Sequence, residues 1–349
     1  MKIMVTGNLG YVGPPLIKEL RSSYPNAELV GMDLGIFAHC LTGVKASPER
    51  MLDKQIFKDV RSVELSDFVG FTAVVHLAAI SNDPMGNSFS RVTDEINCQS
   101  SINIAKLAKQ AGVCNYVFAS SCSVYGAASE FAKKEDDDLN PLTAYAHSKI
   151  DTETSLKALA SSDFVITCLR FATACGFSDR TRLDLVVNDF VAGAISNGVI
   201  SILSDGTPWR PLIHISDMAR AMDWAVTRKI SNGGSMLVVN AGSDNWNYQV
   251  KDLAKAVAAE IPGTKVEVNI NAPPDKRSYK VDFSKFKNLA PNHQPLVSLT
   301  QTVRGLRDGL LDMGFSDGEF RDSDFMRLNV LNNHIACNRL SENLNWVID

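Results

Sequence analysis

Apolar positions in the first half of the chain follow two alternating periods. Short apolar runs read as buried strands: "KIMVT" at residues 2–6, "AELVGMD", "QIFKDV", "TAVVHLAAI", "NYVFASS" and "FVITCLR". Between most of them the spacing turns helical, as in "PPLIKELRSS" and "NCQSSINIAKLAKQAG". Strand and helix in alternation predict an α/β fold with a doubly wound parallel sheet. Ligands of such a sheet bind beyond the carboxyl ends of its strands. After "LRFATACGFSDR" the pattern changes: "RLDLVVNDFVAGAIS" and "MARAMDWAVTR" read as helices flanking a strand-and-loop stretch, "ISILSDGTPWRPLIHISD". The 349 residues therefore divide into a sheet domain over 1–170 and a smaller α/β lobe over 171–349. The tail from about 316 onward falls outside this core and is expected to add a helix over the second lobe or at a subunit contact.

The first strand runs into "GNLGYVG" and then a helix, the context that makes spaced glycines informative. Gly7 permits a tight turn, Gly10 lets the backbone approach a diphosphate, and Gly13 lets the helix lie close. The intervening Asn8, Leu9, Tyr11 and Val12 complete the predicted cradle, and the helix N-terminus points free N–H groups at the anion. Pro14 and Pro15 fall in the first turn, where a missing N–H breaks no helical bond. A plain tight turn would also fit the glycines. Asp33 decides between the readings: it ends the next strand 20 residues after Gly13. A carboxylate there accepts both ribose hydroxyls of an adenosine and repels the extra phosphate of NADP. The platform is thus a Rossmann-type site for NAD. Further along, Asp59-Val60 and Leu77-Ala78-Ala79 fall at strand ends. Asp59 is placed to accept from the adenine amino group, and the two alanines are small enough for a cofactor to pass. His76, at the end of a buried strand, reads as a packed and satisfied histidine.

Composition narrows the classes. Hydrophobic residues are 45%, charged residues 21%, and the net charge is -4 with no basic block, so nucleic acid is not an expected partner. The longest apolar runs are too short to span a bilayer, and "MKIMVTGNLGYVG" breaks into glycines too early for a signal peptide. Seven scattered cysteines with no C-x-x-C fit free thiols in a reducing cytoplasm. No cluster of metal ligands stands out.

The densest chemistry lies in "LTAYAHSK", residues 142–149. Pro141 precedes a helix, on which Tyr145 and Lys149, four apart, share a face. An ammonium near the phenol favours the phenolate and lowers the tyrosine pKa. Such a phenolate can take a proton from a sugar or alcohol hydroxyl. The lysine can also hold the nicotinamide ribose. Ser121, at the tip of "NYVFASS", can hydrogen-bond the same substrate oxygen. His147 points nearly the opposite way, and Ser148 reads as structural.

Taken together, "TGNLGYVG", Asp33, "DV" at 59–60, "HLAA", "SSCSVYG", "AYAHSK" and Glu153 resemble the extended short-chain dehydrogenase/reductase family. More narrowly, the chain resembles its NAD-dependent epimerase/dehydratase branch, which acts on nucleotide-activated sugars. The resemblance covers most of the chain. It implies Ser121, Tyr145 and Lys149 as the catalytic set, with NAD as cofactor, a nucleotide-diphosphate sugar as substrate, and a homodimer packed on an apolar outer face of the Tyr145 helix. It matches Asn188, Arg210 and Arg277 to diphosphate-binding positions, and it places Cys122, Ser123 and Thr173 beside the sugar. Cys122 packs as a small hydrophobe by default, and His214 and Asp217 are expected to brace each other or the domain junction. Related dehydratases carry an Asp-Glu pair, and decarboxylases a Glu, where this chain has Cys122-Ser123. Epimerisation at carbon 4 by oxidation and hydride return is the expected reaction. A keto-sugar reductase or a dehydratase on the same fold is the alternative.

Overall fold

A computed structural model of the chain describes residues 1–127, 131–269 and 277–347. Three residues of the acidic loop (128–130), a stretch of the second lobe (270–276) and the last two of the tail lie outside the described residues. In chain order the strands are β1 (Lys2–Thr6), β2 (Glu28–Asp33), β3 (Lys54–Phe57), β4 (Ala73–His76), β5 (Asn115–Ser121), β6 (Val165–Phe171), β7 (Thr173–Cys175), β8 (Val199–Ile202), β9 (Trp209–His214), β10 (Met236–Ala241), β11 (Asn247–Gln249) and β12 (Lys265–Val268). The helices are α1 (Gly13–Ser23), α2 (Asp83–Ser88), α3 (Ser90–Asp94), α4 (Ser100–Gln110), α5 (Ala144–Lys157), α6 (Val186–Asn197), α7 (Ile215–Val226), α8 (Val250–Glu260), α9 (Ser284–Leu289), α10 (Leu299–Asp312) and α11 (Arg327–Ala336).

A seven-stranded sheet in the order β10-β6-β5-β4-β1-β2-β3 forms the centre, and every pairing in it is parallel. β4 and β6 are buried along their whole length, as expected of parallel strands covered on both faces. The strand order reverses at β1, between β2 and β4, which opens a crevice at their carboxyl tips. There Gly7 adopts φ +74°, and a Cβ on it would stand 2.4 Å from the backbone nitrogen of Ala78. The glycine turn and "HLAA" are thus packed backbone against backbone. A Cβ on Gly13 would lie 1.8 Å from the carbonyl oxygen of Asn8, so Gly13 packs α1 onto the turn. α1 carries its two prolines in the first turn, as the sequence predicts.

The division at residue 170 is not a clean cut. β10 comes from the second half yet adds to the edge of the main sheet, and α7 packs on α1. The second lobe has its own core, built around α6, α8 and α10. The tail also departs from expectation. Phe320 joins the second lobe's core, but Leu331, Leu340 and Leu344 pack into the sheet domain's core beside Met32 and Val74. Trp346 then donates its indole N–H to the Leu34 carbonyl at 2.9 Å, just past β2.

What fixes α5 on the sheet is a buried ion pair. Glu153, one turn past Lys149, receives three bonds from Arg170 on β6, the shortest 2.7 Å, with the two side chains 5% and 6% exposed. Ser120 on β5 donates to the same carboxylate. Arg170 also donates to the Tyr125 hydroxyl at 3.0 Å, and that hydroxyl donates to Asn240 on β10 at 2.7 Å. Breaking such a pair from one side leaves an uncompensated charge in the interior. Arg170→Met is therefore expected to lower the unfolding free energy in urea by about 3–5 kcal/mol. A loss under about 1 kcal/mol, the level of an exposed pair, would show that the network does not hold the helix.

Candidate active site

A cleft of about 890 Å³ runs from Asp33 at one end to Tyr145, Lys149 and Arg277 at the other, between the sheet's carboxyl tips and the second lobe. Its cofactor side suits a dinucleotide. Gly7, Gly10, Tyr11 and Val12 line it, and a Cβ on Gly10 would meet only the Gly7 carbonyl, at 3.3 Å, so its open face can take a diphosphate. The Asp33 carboxylate accepts from the backbone N–H of Leu9 (3.1 Å) and of Gly35 (2.7 Å), which leaves lone pairs for ribose hydroxyls. Burial raises its pKa, and those two N–H groups act against the rise. Asp59, Val60, Leu77, Ala78 and Ala79 line the same wall.

Four predicted contacts differ. Asn8 is fully buried and donates to Gln55 at 2.7 Å, away from the cleft, so it shapes the turn from behind. Leu9 and Gly13 do not face the cleft either: the first contributes its N–H to Asp33 and the second its missing side chain. Asp59 is tied to Arg61 at 2.6 Å, so its carboxylate already serves a guanidinium.

The reacting end gathers the expected residues. Thr143 caps α5, accepting from the Ala146 N–H at 3.2 Å, and donates to Asp83 at 2.7 Å. This cap presents Tyr145 to the cleft, which Ser121 also lines, its hydroxyl accepting from the Ser123 N–H at 3.1 Å. Lys149 follows one turn on, buried, its ammonium 4.6 Å from the Phe118 ring centre and 5.4 Å from that of Tyr145. Burial pushes the tyrosine up to about 12, and the nearby Ser121 hydroxyl acts to lower it. This corrects the expected sign, because desolvation here outweighs the lowering influences of Ser121 and Arg182. Burial also draws Lys149 down to about 8, with Glu153 acting in the opposite direction. His147 is exposed, and Ser148 donates to the Tyr145 carbonyl at 2.8 Å, both as read from helical spacing. The outer face of α5 is not apolar: His147, Asp151, Thr154 and Lys157 occupy it. His76 bonds Thr6 at 2.6 Å and Ser101 at 2.8 Å, and burial lowers it to about 3, so it is a neutral core residue.

Toward the second lobe the agreement is partial. Ser123, Thr173, Arg210 and Arg277 line the cleft, and the Ser123 hydroxyl is buried with no partner. Arg277 pairs with Asp83 at 2.9 Å, and Arg210 donates to the Trp209 carbonyl at 2.9 Å and to that of Arg277. Cys122 turns into the core, where its thiol donates to the Arg170 carbonyl at 3.1 Å and burial raises its pKa. Asn188 is fully buried: it accepts from the Gly176 N–H at 3.0 Å and donates to the Tyr11 hydroxyl at 3.0 Å and the Arg182 carbonyl at 2.8 Å. Its amide is consumed in stapling the glycine turn to the second lobe, so it does not reach a diphosphate here. His214 and Asp217 do not brace each other. His214 caps α7 by accepting from Ser216, and Asp217 accepts from the backbone of Leu296 and Val297.

Residues 3–242 match the NAD dependent epimerase/dehydratase family. The chain belongs to that family. The NAD dependent epimerase/dehydratase enzymes it resembles carry more than one activity. It is 25% identical to UDP-glucuronic acid decarboxylase 6 of Arabidopsis thaliana over 86% of each chain. It is 24% identical to a putative UDP-glucose 4-epimerase of Methanocaldococcus jannaschii over 86% of this chain and 96% of that one. The fold matches that of UDP-glucuronic acid 4-epimerase from Bacillus cereus with a TM-score of 0.73 at 23% identity, over 90% and 100% of the two chains. NAD, the cofactor predicted from Asp33 and the glycines, is the family's cofactor.

Several cleft residues escaped the sequence reading. Arg182 is buried, pairs with Asp184 at 2.9 Å and donates to Ser81 at 2.7 Å. Arg321, from the tail, pairs with Asp189 at 2.8 Å, and Asp83 joins Thr143 to Arg277. One signal was available: "SDRTRLD" packs alternating charges directly after a buried strand tip. For Lys149, carbon-13 NMR of labelled lysine is expected to give a midpoint near 8, the ammonium being lost as pH rises through it. A midpoint near the ordinary 10.5 would mean the site is wetter than described.

Proposed function

We propose that this chain epimerises a nucleotide-diphosphate sugar, at carbon 4, by transient oxidation to a keto sugar. Tyr145 takes the proton of the sugar hydroxyl, while Ser121 holds the same oxygen and lends it a hydrogen bond as charge develops. Lys149 holds the nicotinamide ribose hydroxyls, and Asp33 those of the adenosine. NAD, when bound, supplies the hydride acceptor that takes hydrogen from the sugar carbon and gives it back to the opposite face. Tyr145 then returns its proton, so net redox is zero. Arg210 and Arg277 neutralise the sugar diphosphate, and Ser123 and Thr173 border the ring.

The observation that carries this reading is that Ser121, Tyr145 and a buried Lys149 line one cleft, with no carboxyl side chain at 122 or 123 to drive elimination or decarboxylation. One feature favours a second reading, loss of water: Asp83 brings a carboxylate to the cleft near Tyr145. In that reaction it would act as the acid, released from Arg277. A homodimer in the cytoplasm remains the expected setting, although the polar outer face of α5 gives that helix no apolar seam for a partner.

Incubation with a panel of nucleotide sugars, read by mass and coupling constants, is expected to give an isomer of unchanged mass without consumption of added NADH. A product lighter by one water points to Asp83 and dehydration, and stoichiometric NADH use points to a reductase. Tyr145→Phe should cost about 10²–10⁴ in turnover; full activity in that variant would remove the tyrosine from the mechanism.

A further inference from the structure

The cleft's arginines are mostly matched by acids: Arg182 by Asp184, Arg321 by Asp189, Arg277 by Asp83. Arg327, the first residue of α11, is different. It is 2% exposed and lines the cleft. Its guanidinium donates to the carbonyls of Asp324 (2.6 Å), Arg180 (3.0 Å) and Thr181 (3.0 Å) and sits 5.7 Å from the Phe37 ring centre. Among the described residues no carboxylate lies within 4.0 Å of it. Carbonyl dipoles satisfy N–H groups, and with only the more distant Asp184 and Asp324 acting on the guanidinium the charge is incompletely compensated, a costly arrangement in a buried site unless an anion arrives.

Its surroundings say which anion. Phe37, Ile36 and Met326 beside it follow from the Asp33 end of the cleft. The loop whose carbonyls it holds is tied to the glycine turn, because Ser178 donates to the Tyr11 carbonyl at 2.7 Å. Arg327 therefore lines the cleft from a loop that is held against the glycine turn. The arm that carries it is anchored on the same side: Arg61, which holds Asp59, donates to the carbonyls of Asn343 (2.7 Å) and Leu344 (3.3 Å), and Trp346 caps the Leu34 carbonyl. We infer that the C-terminal arm, which lies beyond the family-matched residues 3–242, supplies Arg327 as a ligand of the dinucleotide's diphosphate. The arm is a wall of the cofactor site. This rests on the cofactor and is independent of which sugar reaction the enzyme performs.

Calorimetry on protein stripped of carried cofactor tests it, with NAD+, ADP, UDP and adenosine as probes. Arg327→Met keeps an apolar stem and removes the charge. NAD+ and ADP are expected to bind about tenfold or more weakly, with adenosine and UDP unchanged. Unchanged affinity for all four, or an equal loss for adenosine, overturns the proposal. A loss confined to UDP does so too, by assigning the charge to the substrate's diphosphate. Should Arg327→Met not fold, hydrogen exchange on the unaltered chain decides. ADP must slow the amides of the first turn of α11 where adenosine does not; equal protection by both, or by neither, refutes the role.

Discussion

The Arg170–Glu153 pair is the constraint on which the reacting end depends. It sits under α5 at the carboxyl tips of β5 and β6, and it fixes the height and rotation of the helix that carries Tyr145 and Lys149. The same guanidinium reaches Tyr125, and through it Asn240 on β10, so helix, two central strands and the returning edge strand are set by one buried charge. A hydrophobic replacement of matching shape could be as stable. What the ion pair adds is direction: bidentate bonds fix orientation in a way that apolar packing does not.

Held there, Tyr145 and Lys149 are largely withdrawn from solvent, and that desolvation sets their protonation. Burial raises Tyr145 and lowers Lys149, moving both toward their neutral forms. A neutral phenol beside Ser121 is a resting state, and its acidity at work depends on the charges that ligands bring. Arg327 follows the same logic with opposite sign, a cation kept in the interior by carbonyls and awaiting its counter-charge. The protein stores unfavourable solvation on both sides of the cofactor track, and bound ligands relieve it.

Local spacing made one part of this legible. Gly7, Gly13 and Asp33 are tied by a single strand–turn–helix unit, and Tyr145 and Lys149 by one helical turn, so their joint placement follows from sequence distance alone. His147 and His76 could be set aside on the same grounds. The parallel sheet followed from alternating periods, but the return of β10 to its edge did not, since topology is a long-range property. Asn188 shows the limit most plainly. Its position in the chain suits a diphosphate ligand, yet the Tyr11 hydroxyl, 177 residues away, claims its amide. Asp83, Arg182 and Arg327 escaped for a similar reason: each enters the cleft from an element whose direction depends on tertiary packing. The sign of the Tyr145 shift was missed because helical spacing locates a neighbouring charge but says nothing about the loss of water around it.

In the proposed reaction Tyr145 moves the hydroxyl proton while one retained cofactor oxidises and then reduces the same sugar carbon. The direct measurement is the fate of deuterium placed on that carbon of a turned-over nucleotide sugar, in ordinary water with unlabelled NADH present. The isomerised product is expected to keep the label on the same carbon, with none in solvent or in the added NADH. Label lost to water would contradict it, because the proton would then have left through an enol instead of the hydride returning across the cleft.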